Sequence, residues 1–181
     1  MKNIELIIPK LEEYSYEQKL ESEPKTMNYN AGYKVMYNGY HYDTGCIDFP
    51  KEKWQEVQNR RIKENRYFAY IKDKDLNKYV GYVNYQYDKD EDIYDCGILI
   101  EDKYRGKGYS KPALKLLIKE ANKKNIKYLY DTFEKSREKA LKLFLDVGFE
   151  IYEKTTVNKF NKEVEGVIIR IDTNKITNNT D

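Results

Sequence analysis

This chain is short of cysteine, has a single histidine, carries no surplus of either charge and contains no long apolar run. Each shortage removes a class of function. Cys46 and Cys96 are the only two cysteines in 181 residues. Far apart in sequence, they supply neither a disulfide framework nor a CxxC pair, which points to a reducing, cytoplasmic setting. One histidine, His41, and two distant cysteines make a metal centre unexpected. The 33 basic and 31 acidic residues leave a net charge of +2. That balance offers no broad positive field for phosphates, so no nucleic-acid partner is expected. The opening Met1-Lys2-Asn3-Ile4-Glu5 has no signal-peptide core and no membrane-length apolar stretch, so no membrane partner is expected either.

What is present is enough for one folded domain. Hydrophobic residues make up 40% of the chain, sufficient to bury a core despite the high charge. The 19 tyrosines accompany abundant Lys, Asn and Ile, all with AT-rich codons, and are read as structural residues that fill half-buried strand positions. No repeat or linker divides the chain. It reads as a single domain over residues 1–171 with a disordered polar tail over 172–181. A sequon at Asn178-Asn179-Thr180 lies in that tail and is read as chance.

Periodicity supplies the elements. Ile4 to Ile8, stopped by Pro9, reads as a first strand. Residues 11 to 45 show only short helical pieces. Pro50 opens a helix to about Asn65, with Trp54, Val57, Arg61 and Ile62 inward. Three strand-like segments follow at 67–71, 79–87 and 92–100, with Gly81 marking a bulge or a close backbone approach. Leu114, Leu117, Ile118 and Ala121 then recur at helical spacing, giving a helix from Ser110 to about Lys124, with Lys111, Lys115 and Lys119 on its solvated side. Residues 128–132 read as a strand. A second amphipathic helix, 138–147, is stopped by Gly148. Two closing strands follow at 149–157 and 163–171.

The informative loop is Arg105-Gly106-Lys107-Gly108-Tyr109-Ser110, set between a buried strand and an amphipathic helix. Two glycines permit close approach of backbone amides, and the helix start presents unpaired N–H groups and a positive dipole end. That combination makes a pyrophosphate cradle, ringed by Lys103, Arg105, Lys107 and Lys111. A Walker loop is excluded because GxxxxGK followed by Ser or Thr is missing. A dinucleotide fingerprint is excluded because residue 111 is lysine and the loop lies in mid-chain.

The segment resembles the Arg/Gln-x-x-Gly-x-Gly/Ala loop of the GNAT superfamily of N-acetyltransferases, with Arg105, Gly108 and Ser110 at its three positions. The preceding Asp95-Cys96-Gly97-Ile98-Leu99-Ile100 is similar to the family strand before that loop. Ala140-Leu141-Lys142-Leu143-Phe144 and Gly148-Phe149 are similar to its later helix and ending. The resemblance is good over residues 50–157 and loose over the first 45. It implies an α/β (α+β) fold: a mixed, mostly antiparallel central sheet of about seven strands, helices on both faces, and a splayed parallel strand pair. In that pair, the strand 92–100 would carry the bulge and 128–132 would be its partner.

The resemblance also implies chemistry. Acetyl-coenzyme A would be the cosubstrate, its pantetheine bonded by backbone groups of Ile98, Leu99 and Ile100. Its pyrophosphate would rest on the amides of Arg105, Gly106, Lys107, Gly108, Tyr109 and Ser110. A backbone N–H near Leu99 would polarise the thioester carbonyl, and a primary amine would attack directly in a ternary complex. An alkylammonium with a pKa of about 10.4 must lose a proton first. Asp95 is implied as the base, with Asp92 or Glu91 as alternatives. Two departures stand out. Phe144 occupies the position where many relatives place a proton-donating tyrosine beside the sulfur, leaving Tyr109 or Tyr130 as substitutes or an unassisted thiolate. Arg137 stands where relatives often carry an asparagine that bonds the pantetheine. These departures keep a second function open, that of a catalytically quiet acyl-coenzyme A binding module. The acceptor, a small-molecule amine or a peptide N-terminus, is expected among the N-terminal tyrosines, with Tyr29 and Tyr40 as candidate contacts beside Tyr33, Tyr37 and Tyr42. A monomer or homodimer is expected.

Overall fold

The computed structural model describes residues 1–35 and 37–177. Its strands are β1 (Ile4–Ile7), β2 (Tyr67–Asp73), β3 (Lys78–Asp88), β4 (Ile93–Ile100), β5 (Tyr128–Glu134), β6 (Glu150–Lys159) and β7 (Lys162–Asp172). They form one sheet in the order β1-β2-β3-β4-β5-β7-β6. Every neighbouring pair is antiparallel except β4–β5. That parallel pair makes one registered contact, Asp95 opposite Tyr130, so the two strands part beyond it. The mixed fold with a splayed parallel pair is the expected one.

The helices cover both faces. On one side lie α1 (Tyr14–Glu21), α2 (Pro24–Met27) and α3 (Lys51–Lys63); on the other, α4 (Ser110–Lys123) and α5 (Glu138–Val147). Strand alternation divides the core accordingly. Val83, Cys96 and Ile100 pack with Leu114, Ile118, Leu129, Phe133, Phe144 and Ile169. Phe68, Tyr70, Tyr82 and Leu99 pack on the opposite face with Leu20 and Met27. Each large side chain so buried contributes about 1.5 to 3 kcal/mol. Gly148 ends α5 at φ 119°, with its amide returned to the carbonyls of Phe144 and Leu145, the left-handed stop read from the sequence.

Several expectations change. The register shift falls on β3 opposite Ile71 and Lys72; β4 keeps unbroken register with β3 from Ile93 to Ile100, so β4 is not the bulged strand. Gly81 earns its place through close approach: a Cβ there would sit 2.0 Å from the Leu99 carbonyl oxygen. Ile62, placed inward by periodicity, is exposed; its neighbour Arg61 takes the inward place, 3.6 Å from the centre of the Phe68 ring and paired with Glu17. Asp172 completes β7, and residues 174–177 form a helical turn, α6 (Asn174–Thr177), tied down by Asn122 bonds to Thr173 and Asn174. This much of the supposed tail is ordered; the sequon at 178–180 lies outside the described residues. Cys46 and Cys96 are buried free thiols.

Candidate functional site

The site begins where β4 and β5 part. In antiparallel pairing, successive residues turn their peptide groups to alternate sides. The Leu99 carbonyl faces Gly81 of β3, and the next odd residue, Glu101, donates its amide to Val80. The peptide groups of Ile98 and Ile100 are therefore the ones turned toward the gap, and the Ile100 carbonyl accepts from Arg105 Nε at 3.2 Å. Of the three residues expected to bond a pantetheine, Leu99 spends its backbone groups on β3 instead.

At the far end of β4 the chain turns into the glycine loop. Gly106 and Gly108 adopt φ of 71° and 83°, and a Cβ at either would meet nothing within 4 Å. Their positive φ is the conformation glycine tolerates without steric cost. No side chain caps the start of α4. None of the amides from Gly106 to Lys111 donates to an acceptor among the described residues. A row of unpaired amides at the positive end of a fourteen-residue helix is an anion site by construction. A coenzyme A pyrophosphate fits these groups.

The basic ring around the loop is mostly committed elsewhere. Lys103 and Lys19 both pair with Glu101, at 3.0 and 2.5 Å, and Lys111 pairs with Asp146 at 2.9 Å. Arg105 reaches back to α2, donating to the carbonyls of Lys25 (3.0 Å) and Thr26 (2.5 Å). The Asp102 amide donates to Thr26 Oγ1, and the Tyr16 hydroxyl to Glu101. The loop is thus strapped to α1 and α2. Lys107 makes no ion pair among the described residues and lies 5.7 Å from the centre of the Tyr104 ring. Tyr109 offers the site only its amide: its ring is buried and its hydroxyl donates to Asp73 at 2.6 Å. Phe144 is likewise core, its ring 4.9 Å from both Phe133 and Phe149, so it lines no open groove.

On the opposite face a cavity of about 460 Å³ opens between α1, α3 and β3, lined among others by Glu17, Glu21, Tyr29, Tyr82 and Asn84. Asn84 is in register with Gly97 of β4 and stands 3.4 Å from where a Cβ of that glycine would be. This wall therefore lies one strand from the gap. Tyr29 belongs to the cavity as expected. Tyr40 does not: its hydroxyl donates to the Asn30 carbonyl at 2.6 Å and accepts from the Tyr33 amide, clasping the loop. Tyr42 packs on Phe160 of the β6–β7 hairpin, and His41 pairs with Asp48 at the surface.

Sequence reasoning missed the buried acids of α1. Glu17 receives two bonds from Arg61, at 2.9 and 2.6 Å. Burial raises its carboxyl above the usual range, against the pull of Arg61. Glu21 is pushed well up by burial and by the charge of Glu17, to which it hydrogen-bonds. The signal was available in the sequence: Tyr14, Glu17, Leu20 and Glu21 share one helical face, with two acids on the buried side.

Two more carboxyls flank the β4–β5 contact. Asp95 lies in register with Gln86, a lining residue of the cavity. Burial, with Asp88 and Glu91 nearby, raises it to about 6. Asp131 of β5, unnoticed in the sequence, is raised by burial to about 7, opposed by the Thr132 amide and by Arg137 and reinforced by Asp95. The alternatives to Asp95 fare worse. Glu91 and Asp92 sit exposed in the β3–β4 turn, and Asp92 accepts from the Tyr87 hydroxyl.

Comparison with known proteins agrees with this geometry. The model of the acetyltransferase (GNAT) family matches residues 33–149. Among solved structures, spermidine N-acetyltransferase from Vibrio cholerae, in complex with CoA and spermine, superposes with a TM-score of 0.75 at 14% identity, covering 96% of this chain and 98% of that one. An N-acetyltransferase from Staphylococcus aureus gives 0.71 at 15% identity, covering 94% and 99%. A putative acetyltransferase from Salmonella typhimurium with its cofactor acetyl-CoA gives 0.70 at 11%, covering 94% of each chain. No curated protein sequence matches. At these identities the structures speak for the fold.

Proposed function

Since the chain belongs to the acetyltransferase (GNAT) family, we propose that it transfers an acetyl group from acetyl-coenzyme A to a primary amine by direct attack within a ternary complex. One observation carries this reading: a single gap between β4 and β5 has a cradle of unpaired amides at its end and an acid-lined cavity on one face. Each half of a two-substrate reaction thereby receives its own compartment, meeting at one pair of strands.

The cosubstrate supplies an acetyl group activated as a thioester and a thiol that leaves readily. The residues do the rest. Amides from Gly106 to Lys111 bind and orient the phosphates. The peptide groups of Ile98 and Ile100 line the gap. Asp95, on the cavity face, takes the proton that the ammonium must lose before its nitrogen can form the new C–N bond. No side chain need protonate the departing sulfur, since a thiol of pKa about 8.5 leaves as thiolate near neutral pH; Phe144 has no hydroxyl to offer and is sealed in the core.

Coenzyme A release over a panel of amines tests the reading. With Asp95 as base, the rate climbs through about pH 6 as that carboxyl ionises. Asp95→Asn lowers turnover at neutral pH on the order of a hundredfold, within the usual range for general bases. It also removes the inflection near pH 6, and higher pH recovers part of the loss because solvent then delivers free amine. A variant matching wild type across the pH range returns the role to Asp131 or to water. Tight acetyl-coenzyme A binding with no turnover on any amine favours the quiet binding module that Phe144 and Arg137 suggest.

A further inference from the structure

The carboxyls of the acceptor cavity are already spent. Glu17 is bound by Arg61 through two hydrogen bonds, and Glu21 is bonded to Glu17. The cavity's guanidiniums are not all spent. Arg61 is neutralised by Glu17, and Arg66 is held by Glu64 and Gln86. Arg60, which also lines the cavity, has no ion pair among the described residues.

A second such group lies at the inner end. Arg137 starts α5, half-buried, with its guanidinium 5.2 Å from the centre of the Tyr29 ring and 5.1 Å from that of Phe133. Tyr29 belongs to the cavity face and Phe133 to the core on the far face. The guanidinium therefore sits between the two faces, beside the β4–β5 gap. Asp131 and Tyr33 are near enough to sense its charge. Yet no side-chain hydrogen bond or ion pair engages it among the described residues. Five N–H donors meeting only ring faces and a distant carboxylate lack acceptors, and the fork of a guanidinium matches a carboxylate in two parallel bonds. Apart from Asp95, which serves the reacting amine, a polyamine's second ammonium would meet carboxyls already bonded to Arg61 or to each other, beside an Arg60 that has no ion pair among the described residues.

Building on the acetyl-transfer reading, we propose that the acceptor is a zwitterion, an α-amino acid or a compound with the same amine-and-carboxylate pair, and that Arg137 holds its carboxylate. The amine then lies within one carbon of that anchor, beside the gap, while the side chain of the acceptor extends among Tyr29, Tyr37, Phe68 and Tyr82.

Matched probes test this: leucine against 3-methylbutylamine, phenylalanine against phenethylamine, and spermidine, each with acetyl-coenzyme A. Each amino acid should exceed its decarboxylated partner at least tenfold in kcat/KM, with spermidine below both. Arg137→Gln should raise KM for the amino acids at least tenfold, leave the plain amines unchanged and shift the acetyl-coenzyme A Kd less than threefold; Arg137→Lys should recover part of the preference. A preference for spermidine or the plain amines overturns the proposal, as does a carboxylate preference that survives in Arg137→Gln. So does a loss in Arg137→Gln shared equally by both probe classes, which would assign the residue to the cosubstrate. If no probe is acetylated, calorimetric titration into the coenzyme A-loaded protein decides: tighter binding of the amino acids to wild type than to Arg137→Gln supports the proposal, and its absence overturns it. Acetyl-coenzyme A binding in the same calorimeter reports separately on acetyl transfer.

Discussion

The two sides of the β4–β5 gap are made from different materials. On the proposed function, the cofactor side is backbone: consecutive amides from Gly106 to Lys111, freed by two glycines and aligned by one helix. The acceptor side is side chain: Glu17 and Glu21 from α1, Tyr29 after α2, Arg61 from α3, and Tyr82 and Asn84 from β3. A backbone site is encoded in six neighbouring residues and tolerates most side chains around it. A side-chain site is scattered over some 70 residues, and exchanging any one of them changes its shape, hydrogen bonding or charge. The difference explains why such a scaffold can keep one cosubstrate while its acceptor varies.

Three substitutions would break or sharpen that contrast, taken from the largest expected effect to the smallest. Phe144→Ala strikes the floor beneath both sides. Its ring is buried among Phe133 and Phe149, so removing it should cost about 3 to 5 kcal/mol in denaturant unfolding, with the acetyl-coenzyme A Kd of the folded protein nearly unchanged. The reverse result, intact stability with weakened binding, would place the ring in the cofactor groove. Gly108→Val strikes the cofactor side alone. Nothing blocks the new side chain sterically, but the 83° φ is hostile to a β-branched residue and the side chain would stand where phosphate belongs. Calorimetry should show acetyl-coenzyme A binding weakened a hundredfold or more in a protein that still melts cooperatively. Unchanged affinity would remove the loop from the site.

Arg105→Ala tests whether the two sides are as separate as their materials suggest. The Arg105 side chain holds α2, with Asp102 as its ion-pair partner at 3.6 Å. Its loss should therefore raise the acceptor KM about tenfold and lower the melting temperature, in keeping with about 1.5 to 3 kcal/mol for hydrogen bonds to a charged group, while cosubstrate affinity falls less. A larger fall in acetyl-coenzyme A affinity would show the guanidinium turning to the phosphates when they arrive.

How far the sequence could be read follows the same division. Glycines at 106 and 108 before an amphipathic helix announce unpaired amides whatever the rest of the chain does, because the requirement is local. The strands and both long helices were readable for a similar reason, since period 2 and period 3.6 are written in consecutive residues. Ile62 was misplaced because periodicity finds a helix face but not its exact centre, which a buried acid, Glu17, and the Phe68 ring give to Arg61. Arg105, Lys103 and Lys111 looked like a free positive ring around the loop because their charge is visible in sequence and their pairing is not: Thr26 and Asp146 lie far along the chain, and Glu101, though near Lys103, is buried only by the fold.

The sequence by itself determined that this chain would fold as an α/β sheet with an anion cradle at the head of α4, because hydrophobic periodicity and the conformational freedom of glycine are properties of neighbouring residues. Only the tertiary structure decided that β4 keeps its register and leaves β5 at Asp95, that Glu17 and Glu21 share a cavity with Arg61, and that Arg137 stands between Tyr29 and Phe133 with no side-chain acceptor among the described residues. Those outcomes depend on desolvation and on pairings across the sheet. Both are set by residues that become neighbours only when the chain closes on itself.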